Sequence, residues 1–78
     1  MDTDNLVHMA NHIGEFFAAM PDRKEAKDGI VKHIRLYWDP RMRRSLLARL
    51  GQGDASAFSE LVGEALREQG ASLLPSST

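Results

Sequence analysis

The sequence predicts an all-α protein, a small bundle of about four helices joined by short turns. Apolar residues recur at spacings of three and four in four successive segments, which is the period of an amphipathic helix. No stretch alternates apolar and polar residues as a half-buried strand does. Residues that typically begin and end helices separate the four segments.

The first helix is expected to begin at a cap, Thr3 or Asp4, and to run to about Met20. A second helix is expected to begin at Asp22, whose carboxylate can accept a hydrogen bond from a free backbone N–H. Each segment carries one apolar stripe that would face the core. These positions are Leu6, Met9, Ala10, Ile13, Phe16, Phe17 and Met20 in the first helix and Ala26, Ile30, Ile34 and Tyr37 in the second.

Asp39 and Pro40 mark the start of a third helix, because Asp caps well and Pro is preset for the first helical position. Proline also disfavours the α conformation in the preceding residue, so the second helix must end before it. The third helix would run to Leu50, with Gly51 as a left-handed residue at its end. Its apolar positions are Met42, Leu46, Leu47 and Leu50.

A fourth helix would begin at a cap, Asp54 or Ser56, and end at Gly70. We therefore assign residues 1–70 to a single helical domain and expect residues 71–78 to form a mobile C-terminal tail. The apolar stripe of the fourth helix is Ala57, Phe58, Leu61, Val62, Ala65 and Leu66. Four apolar residues lie at the edges of their stripes and are expected to be partly exposed, which favours a partner or self-association: Phe17, Val31, Trp38 and Leu66.

Composition excludes several classes of function. The chain of 78 residues has no cysteine, so disulfides, thiolate metal sites and thiol catalysis are excluded, and a cytoplasmic location is expected. The acidic N-terminus and the lack of an apolar run of ~20 residues indicate neither export nor a membrane span. No glycine-rich phosphate loop and no nucleophile motif is present, so we expect no catalytic residue and no cofactor.

The net charge of −1 conceals a block pattern. Residues 1–22 carry four acids and no Lys or Arg, residues 23–50 carry nine bases and three acids, and residues 51–78 carry one base and four acids. The basic middle could attract an acidic protein, a phosphate or RNA. It could equally be complementary to the neighbouring helices of its own chain.

His8, His12 and Glu15 share the face of the first helix that lies away from the apolar stripe. This spacing can hold a metal ion, but it is common and no further ligand is evident, so a polar or partner-covered face is favoured and no metal is expected. His33 is interpreted as a hydrogen-bonded residue at the edge of its stripe rather than as a general base.

Three arginines occupy the first turn of the third helix, where the helix dipole disfavours cations. Arg43 falls within the apolar arc and needs a carboxylate or helix-end carbonyls as partners. Arg41 and Arg44 point outward and are predicted at a binding surface. We assign structural roles to Asp22, Asp39, Pro40 and Arg43. The candidate carboxylate partners of Arg43 are Asp39, Asp22 and Asp28.

Two blocks of the sequence carry a family resemblance. One is LVHMANHIGEFF at residues 6–17, followed by PDR at 21–23, and the other is IVKHIRLYWDPRMR at 30–43. In combination they resemble the delta subunit of bacterial NAD-dependent, molybdenum-containing formate dehydrogenase, over about residues 5–67. The sequence has His12 where that family suggests Gln or a similar polar residue.

The resemblance implies a non-catalytic accessory subunit that stabilises the enzyme complex or helps it to mature. The molybdenum cofactor, iron–sulfur clusters, FMN and NAD site would all belong to larger subunits, and the catalytic (alpha) subunit would be the main partner. The alternative is a stand-alone regulatory or nucleic-acid-binding protein that uses the basic face of residues 23–50, although nucleic acid is disfavoured by the scarcity of aromatic residues there. The predicted partner interface comprises Trp38, Arg41, Arg44, His8 and His12.

Overall fold

A computed structural model describes residues 2–53 and 55–74. These residues contain four α-helices and two short 3₁₀ turns. The helices are α1 (Thr3–Phe17), α2 (Arg23–Tyr37), α3 (Pro40–Gly51) and α4 (Glu60–Gln69), and the 3₁₀ turns are Ala55–Ala57 and Gly70–Leu73. No strand occurs within these residues, and the all-α prediction is confirmed. None of the helices described is long and apolar enough to cross a membrane.

Aspartates begin α2 and α3 at the predicted positions. The Asp22 carboxylate accepts a hydrogen bond from the Lys24 N–H at 2.9 Å, and the Asp39 carboxylate accepts one from the Met42 N–H at 3.0 Å. Pro40 occupies the first position of α3. These contacts satisfy N–H groups that a helix start leaves without an intrahelical partner, and they fix where the two helices begin.

The boundaries of α1 differ from the prediction at both ends. Asp2, rather than Thr3 or Asp4, is the cap, and its carboxylate accepts a hydrogen bond from the Asp4 N–H at 3.1 Å. The helix ends at Phe17 instead of about Met20. An aspartate just before the helix can reach the free N–H groups of the first turn, which a residue inside that turn cannot do as well.

The start of α4 was also wrongly predicted. Ser59 is the cap and accepts from the N–H three residues further on at 3.3 Å, whereas Ser56 lies in the preceding 3₁₀ turn and Asp54 lies outside the described residues. Asn11 of α1 explains the shift, because its side-chain oxygen accepts a hydrogen bond from the Ser59 N–H at 2.9 Å. A contact between distant parts of the chain thus decides where this helix begins.

The left-handed residue after α3 lies two residues beyond the predicted glycine. Gly51 is the last residue of the helix, and the left-handed conformation occurs at Gly53, with φ of 83°. The Gln52 N–H still reaches the Ala48 carbonyl at 3.1 Å, so the hydrogen-bond pattern of the helix continues past Gly51. Glycine supplies the turn as expected, but the second glycine of the pair does so.

The core lies where α1, α2 and α4 meet, and α3 and the last 3₁₀ turn close it. Val31, Trp38 and Leu66 are buried, so the expectation that these stripe-edge residues are partly exposed is wrong; Phe17 is partly exposed as expected. The buried apolar residues are Leu6, Val7, Ala10, Ala26, Ile30, Val31, Ile34, Trp38, Leu46, Phe58, Val62, Ala65, Leu66 and Leu73.

Leu73 extends the folded domain beyond the boundary drawn at residue 70. Its side chain is fully buried, with 0% of its surface exposed, and it belongs to the same apolar cluster as Trp38. Residues 71–73 are thus part of the bundle rather than of a tail. Residues 75–78, for which mobility is also predicted, lie outside the described residues.

Ion pairs between α2 and α4 account for part of the basic middle segment. Arg23 pairs with Glu64, and Lys27 lies 2.8 Å from Glu68 and 3.7 Å from Glu64. Of the two interpretations of the charge blocks, internal complementarity therefore holds for the first half of α2. Asp28 is engaged as well, because it accepts a hydrogen bond from the Gln69 amide at 2.7 Å.

Candidate partner-binding surface

An open apolar groove runs between α1 and the second half of α2. It consists of two adjoining depressions of about 670 and 450 Å³. Both are lined by His12, Ile13 and His33, so they form one continuous surface. The remaining lining residues are Glu15, Phe16 and Phe17 at one end and His8, Met9 and Trp38 at the other.

The close approach of Phe17 to Gly29 shapes the floor of the groove. A Cβ on Gly29 would overlap the Phe17 ring, so the ring lies directly against the backbone of α2. This contact places Phe17 partly in the core and leaves Phe16, its neighbour, 76% exposed. The two rings meet edge to face at 5.2 Å, which stabilises the exposed ring without burying it.

Aromatic side chains continue across the groove from one helix to the other. The Phe17 and His33 rings are 6.4 Å apart, and His33 lies 4.8 Å from Tyr37 in a tilted arrangement. Tyr37 is 73% exposed and Leu36 is 62% exposed. The apolar spacing predicts Phe16 and Tyr37 on core-facing stripes, and the structure instead places both on the surface.

Trp38, in contrast, has only a small edge in the groove. It is 5% exposed and belongs to the core cluster, so it cannot be the protruding anchor that the sequence suggested. Its cluster also contains Leu73 and three residues of α1, namely Leu6, Val7 and Ala10. Of the other predicted interface residues, His8, His12, Arg41 and Arg44 are all exposed.

All three histidines of the chain line this groove. His12 Nδ1 lies 3.3 Å from the Glu15 carboxylate, one turn away on α1, and both side chains are largely exposed. Within residues 2–53 and 55–74, no group of three potential ligands is placed to hold a metal ion. The histidines therefore present polar ring edges among apolar neighbours rather than a ligand cluster.

Arg43 satisfies its guanidinium with carbonyls and not with the candidate carboxylates. Its Nε donates to the Trp38 carbonyl at 3.1 Å, and its Nη1 donates to the Leu73 carbonyl at 3.0 Å. The two acceptors lie just after α2 and at the end of the last 3₁₀ turn. The three candidate carboxylates have other partners: Asp22 and Asp39 cap α2 and α3, and Asp28 accepts a hydrogen bond from the Gln69 amide.

Charged groups fall into two sets. The pKa of Glu64 is lowered, chiefly by the hydrogen bond from Arg23, and the pKa of Lys27 is raised, chiefly by its hydrogen bond to Glu68. In the part of the chain that the structure describes, five cations form neither an ion pair nor a side-chain hydrogen bond. They are Lys32, Arg35, Arg41, Arg44 and Arg67. Among the described carboxylates, Glu25 and Glu60 likewise form neither an ion pair nor a side-chain hydrogen bond.

The groove is assembled from the two sequence blocks described above. Its α1 wall comes from residues 6–17, and its α2 wall comes from residues 30–43. Of the residues that line the groove, the predicted interface included His8, His12 and Trp38 but not Phe16 or His33, and it also left out Tyr37, whose ring lies against His33. The spacings of four between His12 and Phe16 and between His33 and Tyr37 indicate shared helix faces, yet only the packing of α1 on α2 shows that these faces adjoin.

The fold and this groove define a small all-α protein with an open, aromatic-lined cleft between two helices. Residues 5–66 match the family described as NADH-dependant formate dehydrogenase delta subunit FdsD, and the chain belongs to this family. No curated protein and no solved structure matches the chain.

Proposed function

We propose that this chain is a non-catalytic accessory subunit of NAD-dependent formate dehydrogenase. It docks on the larger subunits, chiefly the catalytic alpha subunit, and stabilises the complex or helps it to mature. The observation that carries the proposal is the exposed aromatic groove, because contiguous exposed apolar surface on a small protein favours a protein partner. The membership of the chain in a family of delta subunits points to that enzyme.

The charge distribution favours this function over nucleic-acid binding by residues 23–50. Arg23 and Lys27 are partnered by carboxylates of α4, so the basic face is shorter than its sequence suggests. Arg41 and Arg44 remain available, and His8 and His12 border the groove. Their role as partner contacts, self-association of the isolated chain and the cytoplasmic location stay predictions.

The proposal is tested by affinity purification of the tagged chain from its own cells, with and without active molybdenum-cofactor synthesis. Recovery of the other formate dehydrogenase subunits in both conditions indicates a structural subunit. Recovery only without the cofactor indicates an assembly factor that leaves the finished enzyme. If these subunits are absent in both conditions, while the tagged chain itself is recovered folded, the proposal is wrong.

A further inference from the structure

We infer that the groove between α1 and α2 binds one amphipathic helix of a larger formate dehydrogenase subunit. The carboxylates of that helix would lie along the margin formed by Lys32 and Arg41. This inference deepens the proposed function and rests on it. A cleft between two helices that exposes apolar side chains along its length suits the apolar face of a third helix. The exposed apolar residues that would contact it are Met9, Phe16, Leu36 and Tyr37.

The geometry of the groove favours a helix over an extended peptide. Met9 and Phe16 lie seven residues apart on α1, and His33 and Tyr37 lie four apart on α2, so both walls repeat at helical intervals. Neither wall offers a free main-chain edge, which is what an extended segment needs for pairing. Ridges of side chains at these intervals receive the side chains of a packed helix.

Charge indicates the chemistry of the partner. Lys32 precedes His33 on α2 and lies one turn from Leu36. Arg41 lies in the first turn of α3, three residues after Trp38, so both cations are close in sequence to residues that line the groove. Both cations are exposed and lack an ion pair with the described residues. Glu15, at the opposite end, is already 3.3 Å from His12. Carboxylates on the partner are therefore expected on the Lys32 and Arg41 side only.

The same charges argue against a second copy of this chain as the occupant. In the described residues, only Glu25 and Glu60 are carboxylates that neither cap a helix nor form an ion pair or side-chain hydrogen bond, against five such cations. Two copies would bring the excess cations together without matching carboxylates. A nucleic acid would match the cations, but the apolar residues Met9, Phe16 and Leu36 would remain uncovered.

Photo-crosslinking in the assembled enzyme identifies the occupant. A benzoylphenylalanine replaces Phe16 in the tagged chain, which is co-expressed with the larger subunits; the same group at Leu74, an exposed apolar residue outside the groove, is the control. The expected product joins position 16 to a helical segment of a larger subunit that carries Asp or Glu beside its apolar face. A product with a second copy of the chain or with nucleic acid would overturn the inference.

Affinity measurements separate the groove from the proposed function. Phe16→Glu is expected to weaken association with the larger subunits at least about tenfold, as loss of a central aromatic contact does, whereas Leu74→Ser changes it less than about twofold. Lys32→Glu with Arg41→Glu is expected to slow association about tenfold and to reduce its salt dependence. Arg67→Glu, alone or with Glu60→Lys to restore the net charge, is expected to have little effect, because both residues lie on α4, which contributes no residue to the lining of the groove.

The outcomes of these measurements distinguish a wrong groove assignment from a wrong proposed function. If the wild-type chain binds and the Phe16→Glu variant binds equally well with an unchanged circular dichroism spectrum, the groove assignment is wrong and the proposed function stands. If Arg67→Glu slows association as much as the Lys32 and Arg41 changes, the charged margin is wrong. If the wild-type chain does not bind the larger subunits, the proposed function is wrong, and the assignment of a helix of those subunits to the groove is wrong as well.

Discussion

Arg43 ties the start of α3 to the end of the last 3₁₀ turn, because its Nη1 donates a hydrogen bond to the Leu73 carbonyl at 3.0 Å. The same guanidinium donates to the Trp38 carbonyl at 3.1 Å. One side chain thus connects the α2–α3 junction with the last 3₁₀ turn, thirty residues further along the chain, and it holds Leu73 over the core. An arginine at the positive end of a helix is explained by these contacts rather than by the helix that carries it.

Replacing Arg43 with Met is expected to lower the free energy of unfolding by about 1.5–3 kcal/mol, since a partly buried, charge-assisted pair of hydrogen bonds is lost. Arg43→Lys should recover only part of this, because a single ammonium cannot reproduce the planar fork. Urea denaturation followed by circular dichroism measures both. Arg44→Met, at an exposed position in the same turn, is the control and should change stability by less than about 0.5 kcal/mol. Equal midpoints for Arg43→Met and Arg44→Met would contradict the role assigned to Arg43.

Gly14 permits the close approach of α1 to α4. A Cβ there would overlap Cγ2 of Val62, which is fully buried and, as a β-branched residue in a helix, cannot rotate away easily. Gly14→Ala is therefore expected to destabilise by about 1–3 kcal/mol, although alanine favours helix formation. Calorimetry and urea denaturation both report this difference.

Gly51 provides the matched control, because a Cβ at that position meets nothing within 4 Å. Gly51→Ala should be neutral or stabilising by up to about 1 kcal/mol. The double variant Gly14→Ala with Val62→Ala tests the mechanism, since removal of the Val62 methyl groups relieves the overlap. If the stability loss of the double variant equals the sum of the losses of the two single variants, the overlap is not the cause.

The helices and several of their caps could be predicted because they depend on neighbouring residues. Asp22, Asp39 and Pro40 act within one turn of their own positions, and the apolar period of each helix is local. The cap of α4 could not be predicted, since Ser59 is held by Asn11 from a distant helix. Arg43 was an intermediate case: the sequence showed that it needed a partner, and only the fold supplied Leu73.

The exposed groove was the least predictable part of the molecule. An amphipathic stripe tells which residues are apolar, but the boundary between covered and exposed positions depends on the neighbouring helix. Gly29 admits the Phe17 ring, and this contact turns Phe16 outward. Trp38, which was expected to be partly exposed, is buried in the same cluster as Leu73. The exposure of Phe16 and the burial of Trp38 both differ from the prediction because the sequence alone does not give the packing of α1 on α2.

Trp38 is expected to be essential for folding rather than for binding alone. Trp38→Ala should lower stability by about 3–5 kcal/mol, as loss of a large buried aromatic does. Tyr37→Ala, at the exposed neighbouring position, should change it by less than about 0.5 kcal/mol. Because Trp38 is the only tryptophan, its fluorescence reports the same site: emission should be blue-shifted in the native protein and shift to the red on unfolding. Emission typical of a solvent-exposed indole in the native protein would contradict its burial.

Acid should weaken the contact between α2 and α4. The pKa of Glu64 lies below its ordinary value of 4.5, chiefly because of the hydrogen bond from Arg23, and the pKa of Asp28 lies below 3.8, chiefly because of the hydrogen bond from Gln69. A carboxyl group whose pKa is lowered by folding stabilises the native state fully above its unfolded pKa, and that contribution is lost as the pH falls through the native pKa. Stability should therefore be steady above about pH 5 and decline below about pH 4.5.

Glu64→Gln should be less stable than the wild type at pH 7, and the difference should shrink as the pH falls through this range. Glu25→Gln, which removes an exposed carboxylate of α2 without an ion pair, is the control and should leave the pH profile unchanged. Denaturation midpoints between pH 3 and 7 measure the effect, and a Glu64→Gln profile parallel to that of the wild type would show that this ion pair does not contribute.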